Sequence, residues 1–423
     1  MNGKTKVITC GCRFNRFESA EIESRLPKGG GKNIVVINSC AVTKSSEAKS
    51  RRAVRRAVRE NPSASIVVAG CWPELDPEAV KSMEGVSLVL GNEEKFRVND
   101  RLESSENVFT GEVQNAELFK EIETGKMPDR TAAYLKIQNG CDETCSFCVV
   151  RLVRGKSRSA SMEFVLSRVD DLIAGGAREI VLTGINVGAY GNDLNEDGSL
   201  AALLAQLSSK DGARFRMSSI NPNEIDNETI SVIADSSNIC RHLHIPMQSG
   251  SDAVLKKMKR PYSAAQYRKK IEEIAIRMPG IALGCDLMTG FPGETEEDFR
   301  GTMEMLLNLP FSYSHVFTYS PRDKTSAFVM ADELPMQVKK ERAQRLKTVA
   351  EDKNLEYRKS LVGSTLKVLV EKRENSGTLL KGKSDNFVDV EFRGDPRLKG
   401  ELVNVAITGL TENCVTGATG EAA

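Results

Sequence analysis

Histidine is scarce in this chain: His242, His244 and His315 are the only three among 423 residues, so no imidazole stands near the cysteine-rich segment taken up below. No run of 18 apolar residues occurs, which argues against a membrane-spanning helix. Met1–Lys6 lead directly into a strand-like run rather than an apolar leader, and the expectation is a cytoplasmic chain with no membrane partner. Neither charge dominates, with 59 basic against 58 acidic residues, so any nucleic-acid partner must be met by local patches. The Gly29–Gly31 turn lacks the Gly-Lys-Ser/Thr that a phosphate loop needs. Cysteine is present ten times. In a reducing compartment such thiols read as metal ligands or free side chains rather than disulfides.

Three of the ten stand as Cys141-x3-Cys145-x2-Cys148, after a strand-like run at 132–138. At this cysteine content the spacing should arise by chance in on the order of one such chain in two hundred, so it reads as a ligand set. A structural zinc site closes four protein ligands, and no fourth is near. A 4Fe-4S cluster on three thiolates keeps one iron open to a small molecule. The spacing resembles the signature of the radical S-adenosylmethionine (SAM) superfamily. The resemblance implies that the open iron chelates SAM and that one electron cleaves it to a 5′-deoxyadenosyl radical.

The chain opens on β-branched runs at 6–9, 34–37 and 66–69, separated by helical patterns at 19–26 and 45–60, with a fourth strand-like run at 86–90. This alternation predicts βαβ units and a parallel sheet. Cys12, Cys40 and Cys71 each follow a strand, and loops after parallel strands share the carboxyl edge where α/β domains hold ligands. The geometry predicts either a second three-cysteine cluster site or three buried cysteines. Arg52, Arg55, Arg56 and Arg59 recur at helical spacing and suit a phosphate backbone, or a solvated helix face. The polar stretch 91–130 reads as the approach to a domain boundary.

From residue 132 six strand-like runs (133–138, 179–183, 214–218, 241–245, 281–288 and 313–318) alternate with helical ones, short of the eight units of a full barrel. A partial (β/α)6 barrel is expected, with its chemistry at the carboxyl strand ends. Gly184, Asn186, Ser218, Gln248, Asp286 and Gly290 lie there and are the candidate SAM contacts. Glu294 reads as the cap of the next helix. A charged helix near 335–360 leads to a tail of alternating strands at 365–371, 379–384, 387–392 and 400–407, a small all-β, OB-like module that binds single-stranded nucleic acid or caps the barrel. The fold class is α/β, with domains expected at 1–115, 128–358 and 361–421. Cys10, Cys240, Cys285 and Cys414 receive no role.

Taken together, Gly11–Asn15, Asn38–Thr43, Gly70-Cys71, Cys141–Cys148, His242–Asp252, Gly290–Glu297 and Tyr319–Arg322 resemble the motifs of the methylthiotransferases. The resemblance implies an N-terminal three-cysteine domain, a radical SAM barrel and a C-terminal TRAM domain, with two 4Fe-4S clusters and SAM as cofactors. Cys12, Cys40 and Cys71 would hold the auxiliary cluster, which supplies sulfur, and a second SAM would methylate it. Arg151 departs from the proline usual after the loop. The implied partners are a tRNA anticodon loop and an electron donor such as flavodoxin or ferredoxin, acting on a monomer. Residues 41–51, 244–248 and 258–260 look most like the branch acting on threonylcarbamoyladenosine. The isopentenyladenosine branch, the ribosomal-protein aspartate branch and a non-catalytic iron-sulfur RNA-binding or electron-transfer protein are the alternatives.

Overall fold

The computed structural model describes residues 4–27, 33–121, 131–194, 198–373 and 378–419. The Gly29–Gly31 turn and the expected domain limits at 1, 128 and 421 lie outside them. The chain divides into two compact units, one of residues 1–128, 136–160 and 320–328, the other of 129–135, 161–319 and 329–423.

The first unit begins β1 (Thr5–Thr9), α1 (Arg13–Arg25), β2 (Ile34–Ser39), α2 (Lys44–Glu60), β3 (Ser65–Gly70), α3 (Cys71–Leu75), α4 (Pro77–Lys81), β4 (Val86–Leu90), α5 (Val98–Leu102) and β5 (Val108–Phe109). The five strands form one parallel sheet in sequence order, as the alternation predicts. Helix α1 starts six residues before the expected position, because Phe14, Phe17 and Ile22 supply its buried stripe. Thr43 caps α2 by accepting the Ser46 N–H at 3.1 Å. Val54 and Ala57 of that helix enter a core that includes Val35, Ile37, Val68 and Trp72.

After β6 (Ala133–Lys136), the short strands β7 (Gln138–Asn139) and β8 (Arg158–Ser159) pair antiparallel and close the base of the cysteine loop, which ends in α6 (Val150–Arg154). The second unit continues with α7 (Met162–Ala174), β9 (Glu179–Thr183), α8 (Leu200–Ser208), β10 (Arg214–Met217), α9 (Asn227–Asp235), β11 (His242–His244), α10 (Asp252–Lys257), α11 (Ala264–Arg277), β12 (Ala282–Thr289), α12 (Glu296–Asn308) and β13 (Tyr313–Thr318). Strands β6, β9 and β10 form one three-stranded sheet and β11, β12 and β13 another, and an isolated parallel bridge pairs Phe215 of β10 with Ile239, just before β11. This is the expected six-strand partial barrel.

One expectation is corrected here. Glu294 does not cap α12: Thr295 does, in a reciprocal box with Asp298. The Glu294 carboxylate is instead buried, accepting the Gly290 N–H at 3.1 Å and an Arg342 guanidinium at 2.5 Å. Arg342 lies on the long helix α13 (Met336–Ser360), whose Lys339 is also buried, so the basic residues of that helix are not uniformly solvated.

The tail forms β14 (Thr365–Arg373), β15 (Leu379–Ser384), β16 (Asp389–Arg393), β17 (Leu402–Leu410) and β18 (Val415–Thr419), closed into a barrel in the order β14-β15-β16-β18-β17. Strand β18 is missing from the sequence reading, Val415 being its one buried residue. The closed barrel is seated on β10. Arg214 donates to the Lys367 and Lys383 carbonyls at 2.5 and 2.8 Å, and Arg216 to those of Ser384 and Asp385 at 2.8 and 2.9 Å. Glu179, buried, pairs with both guanidiniums at 2.6 and 2.9 Å. Burial opposes its charge, yet the two arginines hold its carboxyl at about 2.

Glu179→Gln leaves two buried guanidiniums short of their counter-charge, a loss of roughly 3–5 kcal/mol. The expected outcome is a lower melting temperature and proteolytic release of the tail from 361 onward. Wild-type melting and cleavage in this variant would show that the arginines seat the barrel without Glu179.

Candidate metal centres and cofactor face

Cys12 is the N-cap of α1, Cys40 follows β2 and Cys71 begins α3 directly after β3. The register that pairs Thr9 with Asn38 and Asn38 with Ala69 brings these three positions to one sheet edge. Their thiols sense one another. Burial first, and then Cys71 and Cys12, push the Cys40 thiol up to about 11, and burial also raises that of Cys12 against the pull of Arg154. Gly11 holds the chain beside Cys40 at φ +93°, and a Cβ there would fall 2.3 Å from the Cys40 Cβ and 2.7 Å from its Sγ. Asn92 Nδ2 donates to the Cys71 sulfur at 3.6 Å. Three thiols in a cradle that admits no side chain, next to a guanidinium, fit a thiolate-bound iron-sulfur group.

The other three cysteines lie on the loop between β7 and β8. The Cys141 N–H donates to the Gly155 carbonyl and the Cys148 N–H to that of Cys145, both at 3.1 Å, while the Val150 N–H donates to the Cys148 sulfur at 3.4 Å. Gly140 enters the loop at φ +74°, where a Cβ would stand 1.7 Å from the Lys156 carbonyl oxygen. The Ala327 N–H donates to the Ser146 carbonyl at 2.7 Å, bracing the loop from 320–328. Arg151, the departure from the family's proline, donates to the Asp142 carbonyl at 2.6 Å and so ties α6 back to the loop.

Both cysteine sets belong to the first unit, and Arg154 joins them. At the end of α6, buried, it donates to Glu18 Oε1 and to Asn15 Oδ1, each at 2.7 Å, over the Phe14 ring. Glu18 also pairs with buried Lys95. Burial disfavours its charge, but Arg154 and Lys95 hold it at about 2. Burial lowers the nearby Lys136 amine to about 7. Asn15 sits in a stretch the sequence motifs mark, whereas nothing in the sequence distinguishes Glu18 or Lys95 from surface charges.

The candidate SAM contacts lie in the second unit at the carboxyl ends of its strands, in different states. Ser218 Oγ is buried without a hydrogen-bond partner among the described residues. Gly184 directly follows β9 and is half-buried. Asn186 is buried, donating to Glu224 at 2.6 Å and accepting from Asn221 at 3.1 Å. Gln248 takes a left-handed backbone, φ +65°, and exchanges backbone hydrogen bonds with Asp286 and Met288. The Gly290 N–H is held by Glu294. Asp286 is held by His244 Nε2 at 3.1 Å and His315 Nδ1 at 3.2 Å, which keep its carboxyl well below the ordinary range although burial opposes this. The sequence reading did not single out His315.

The arginine stripe is exposed along α2, with Arg56 pairing Glu60 at 2.7 Å. Arg51, on the same helix, pairs Glu47, which also holds buried Arg322 at 2.9 Å. Cys240 and Cys285 are buried thiols pushed up to about 11 and about 12 by desolvation, and Cys10 and Cys414 are likewise raised, largely by burial.

Comparison with known proteins matches residues 135–306 to the Radical SAM superfamily and residues 4–91 to the uncharacterized protein family UPF0004. Among solved structures, the radical S-adenosylmethionine methyltransferase TsrM of Kitasatospora setae, with cobalamin and a 4Fe-4S cluster bound, shares the fold at TM-score 0.59 and 13% identity, covering 78% of this chain and 77% of that one. The fold and the cysteine loop thus define a radical SAM protein. Over nearly its whole length the chain is 35% identical to the threonylcarbamoyladenosine tRNA methylthiotransferase MtaB of Bacillus subtilis, covering 94% of this chain and 92% of that one. The homologous protein of Thermotoga maritima is also 35% identical, covering 97% and 95%. A tRNA-2-methylthio-N(6)-dimethylallyladenosine synthase of Fusobacterium nucleatum is 34% identical, covering 96% and 97%. The chain belongs to the radical SAM tRNA methylthiotransferases.

Replacing Glu18 by Gln leaves the buried cations around it without their carboxylate, at a cost of roughly 3–5 kcal/mol. Because its folded pKa is about 2 against an ordinary value of 4.5, this stabilisation is present above pH 4.5 and is lost as pH falls through 2. Thermal melting of both chains between pH 7 and pH 2 is expected to show a wide gap at neutrality that narrows in acid. A gap that does not change with pH would exclude Glu18 as its source.

Proposed function

We propose that this chain adds a methylthio group to C2 of N6-threonylcarbamoyladenosine beside the tRNA anticodon. Cys141, Cys145 and Cys148 would hold the SAM-binding 4Fe-4S cluster, and Cys12, Cys40 and Cys71 the auxiliary one. When bound, the first cluster supplies the electron that cleaves SAM, which ordinary side-chain acids and bases cannot replace at an aromatic carbon. The chain's own part is to hold the thiolates beside Arg154, to offer Ser218 to a ligand, and to keep Gly140 and Gly11 free of side chains.

The relatives carry both N6 substituents in their names, so the choice rests on one observation. One face of β11, β12 and β13 presents His242, His244, Asp286, Tyr313 and His315, with Tyr313 OH 2.9 Å from both His242 Nε2 and His244 Nδ1. A polar threonylcarbamoyl group, with its carboxylate, hydroxyl and urea, can satisfy such groups. An isopentenyl group would desolvate them without return. The exposed Arg52, Arg55, Arg56 and Arg59 stripe would meet the phosphates of the anticodon stem-loop. An electron donor of flavodoxin or ferredoxin type, a monomeric state and a cytoplasmic location complete this reading, and no helix among the described residues is long and apolar enough to cross a membrane.

Mass spectrometry of tRNA nucleosides from a strain lacking the gene is expected to show loss of the methylthio-threonylcarbamoyl nucleoside and accumulation of its unthiolated precursor. Loss of the isopentenyl counterpart instead would overturn the substrate choice. Arg52→Ala and Arg55→Ala should each weaken tRNA binding and reduce the slope of log affinity against log salt by about 1. An unchanged slope would remove the stripe from the interface.

A further inference from the structure

Three side chains of the polar face proposed above to meet the substrate also form a ligand set in their own right. His244 ends β11, Asp286 lies within β12 and His315 within β13. These strands are adjacent and parallel, Asp286 is directly paired with His315, and the alternation of side chains puts all three on one face. One ligand atom from each of the three falls within 4.8 Å of those of the other two. Both imidazoles address the same carboxylate oxygen, at 3.1 and 3.2 Å.

We infer that His244, Asp286 and His315 form a binding site for a divalent first-row cation, distinct from the six cysteines of the two clusters. Two histidines and one carboxylate, with further positions open, are a donor set that takes zinc, iron or manganese. The spacing fits. Ligand atoms about 2.1 Å from a metal stand roughly 3.0–3.4 Å apart at octahedral or tetrahedral angles. The environment supplies the orienting partner that metal-bound histidines require. Tyr313 OH lies 2.9 Å from His244 Nδ1 and 2.9 Å from His242 Nε2. With Nδ1–H of His244 donating to Tyr313 and Tyr313 O–H donating to His242, the His244 Nε2 lone pair is left for the cation. The cation would then sit between His244 Nε2 and the Asp286 carboxylate.

Access follows from the gradient of burial across the cluster. His244 is 8% exposed at its side chain, Asp286 23% and His315 56%. A cation fixed by the inner histidine would turn its open positions toward the exposed side, where water or an anionic oxygen ligand completes the shell. The opposite face of β11 and β12, with Leu243, Cys285 and Leu287, is buried, so the ligands on those two strands rest on a packed backing.

The test uses the full-length, cluster-loaded chain and Mn2+ as probe, an ion with little affinity for thiolates. Free Mn2+ is followed by its solution electron paramagnetic resonance signal while iron per chain is measured in parallel. Wild-type protein is expected to remove one Mn2+ per chain from solution. His315→Ala, at an exposed position, and Asp286→Asn should abolish that uptake with iron content unchanged. His315→Glu, which restores a ligand, should recover it, and Tyr313→Phe should weaken it about 10–100-fold through the loosened His244. No uptake by wild type, or equal uptake by wild type and His315→Ala, would reduce the cluster to a hydrogen-bonded His-Asp-His network. Neither result depends on which nucleoside the enzyme modifies.

Discussion

A guanidinium in the interior is expensive, and the Arg154–Glu18 pair accepts that expense at the point where two sequence-distant cysteine sets meet. Glu18 belongs to the helix that Cys12 begins, and Arg154 ends the helix that follows Cys148. Their bond spans 136 positions of sequence. Buried ion pairs often add little net stability because desolvation offsets their attraction. What this pair provides is registration, since α6 cannot slide on α1 without stranding a charge. The surplus of cations matters as well. Arg154, Lys95 and Lys136 surround the single carboxylate of Glu18, and Arg154 is electrostatically coupled to Cys12 and Cys71. Arg154 therefore opposes the burial that raises the Cys12 thiol, whereas Cys40 is raised by burial and by its two cysteine neighbours.

The same device recurs in the second unit with backbone as its target. Arg214 and Arg216, neutralised by Glu179, reach main-chain carbonyls of β14, β15 and the turn after it, and Arg358 of α13 reaches those of Thr411 and Glu412 at 3.0 and 2.9 Å. Phe387, whose ring stacks on His242 at 4.5 Å between centroids, adds a contact from the turn between β15 and β16. A module held by its carbonyls can vary its side chains freely. That leaves its outward surface available for other contacts while its attachment stays fixed.

This division explains what could be read from sequence. Strand positions were legible because β-branched runs and their spacing follow from backbone sterics, and Ile34–Ser39 or Glu179–Thr183 could hardly be anything else. Cysteine convergence was legible for the same reason, the carboxyl edge being fixed by topology. The role of Glu294 was not: a carboxylate at a helix start looks the same whether it caps the helix or is drawn inward by an arginine 48 residues away. The buried states of Lys95, Lys136 and Lys339 were equally hidden, since a lysine announces burial only through partners that tertiary structure brings. Strand β18 escaped notice because Val415–Thr419 owes its strand state to barrel closure between β16 and β17 rather than to its own pattern.

In the proposed reading, the polar face of β11–β13 sets specificity through an asymmetry in how pockets discriminate. An apolar pocket rejects a polar guest only weakly, because the guest can often keep a water or bury a hydroxyl at modest cost. A pocket lined by groups that need hydrogen bonds rejects an apolar guest strongly, since each unanswered donor or charge bears its full desolvation penalty. Asp286 carries that penalty most heavily, being a carboxylate held ionised by two imidazoles on adjacent strands. A proton or a cation between these side chains would satisfy it in the resting state, and only a guest with oxygen or nitrogen to offer could approach without undoing that arrangement. Discrimination between the family's two adenosine substituents would then arise from the cost of the wrong ligand more than from any gain on the right one.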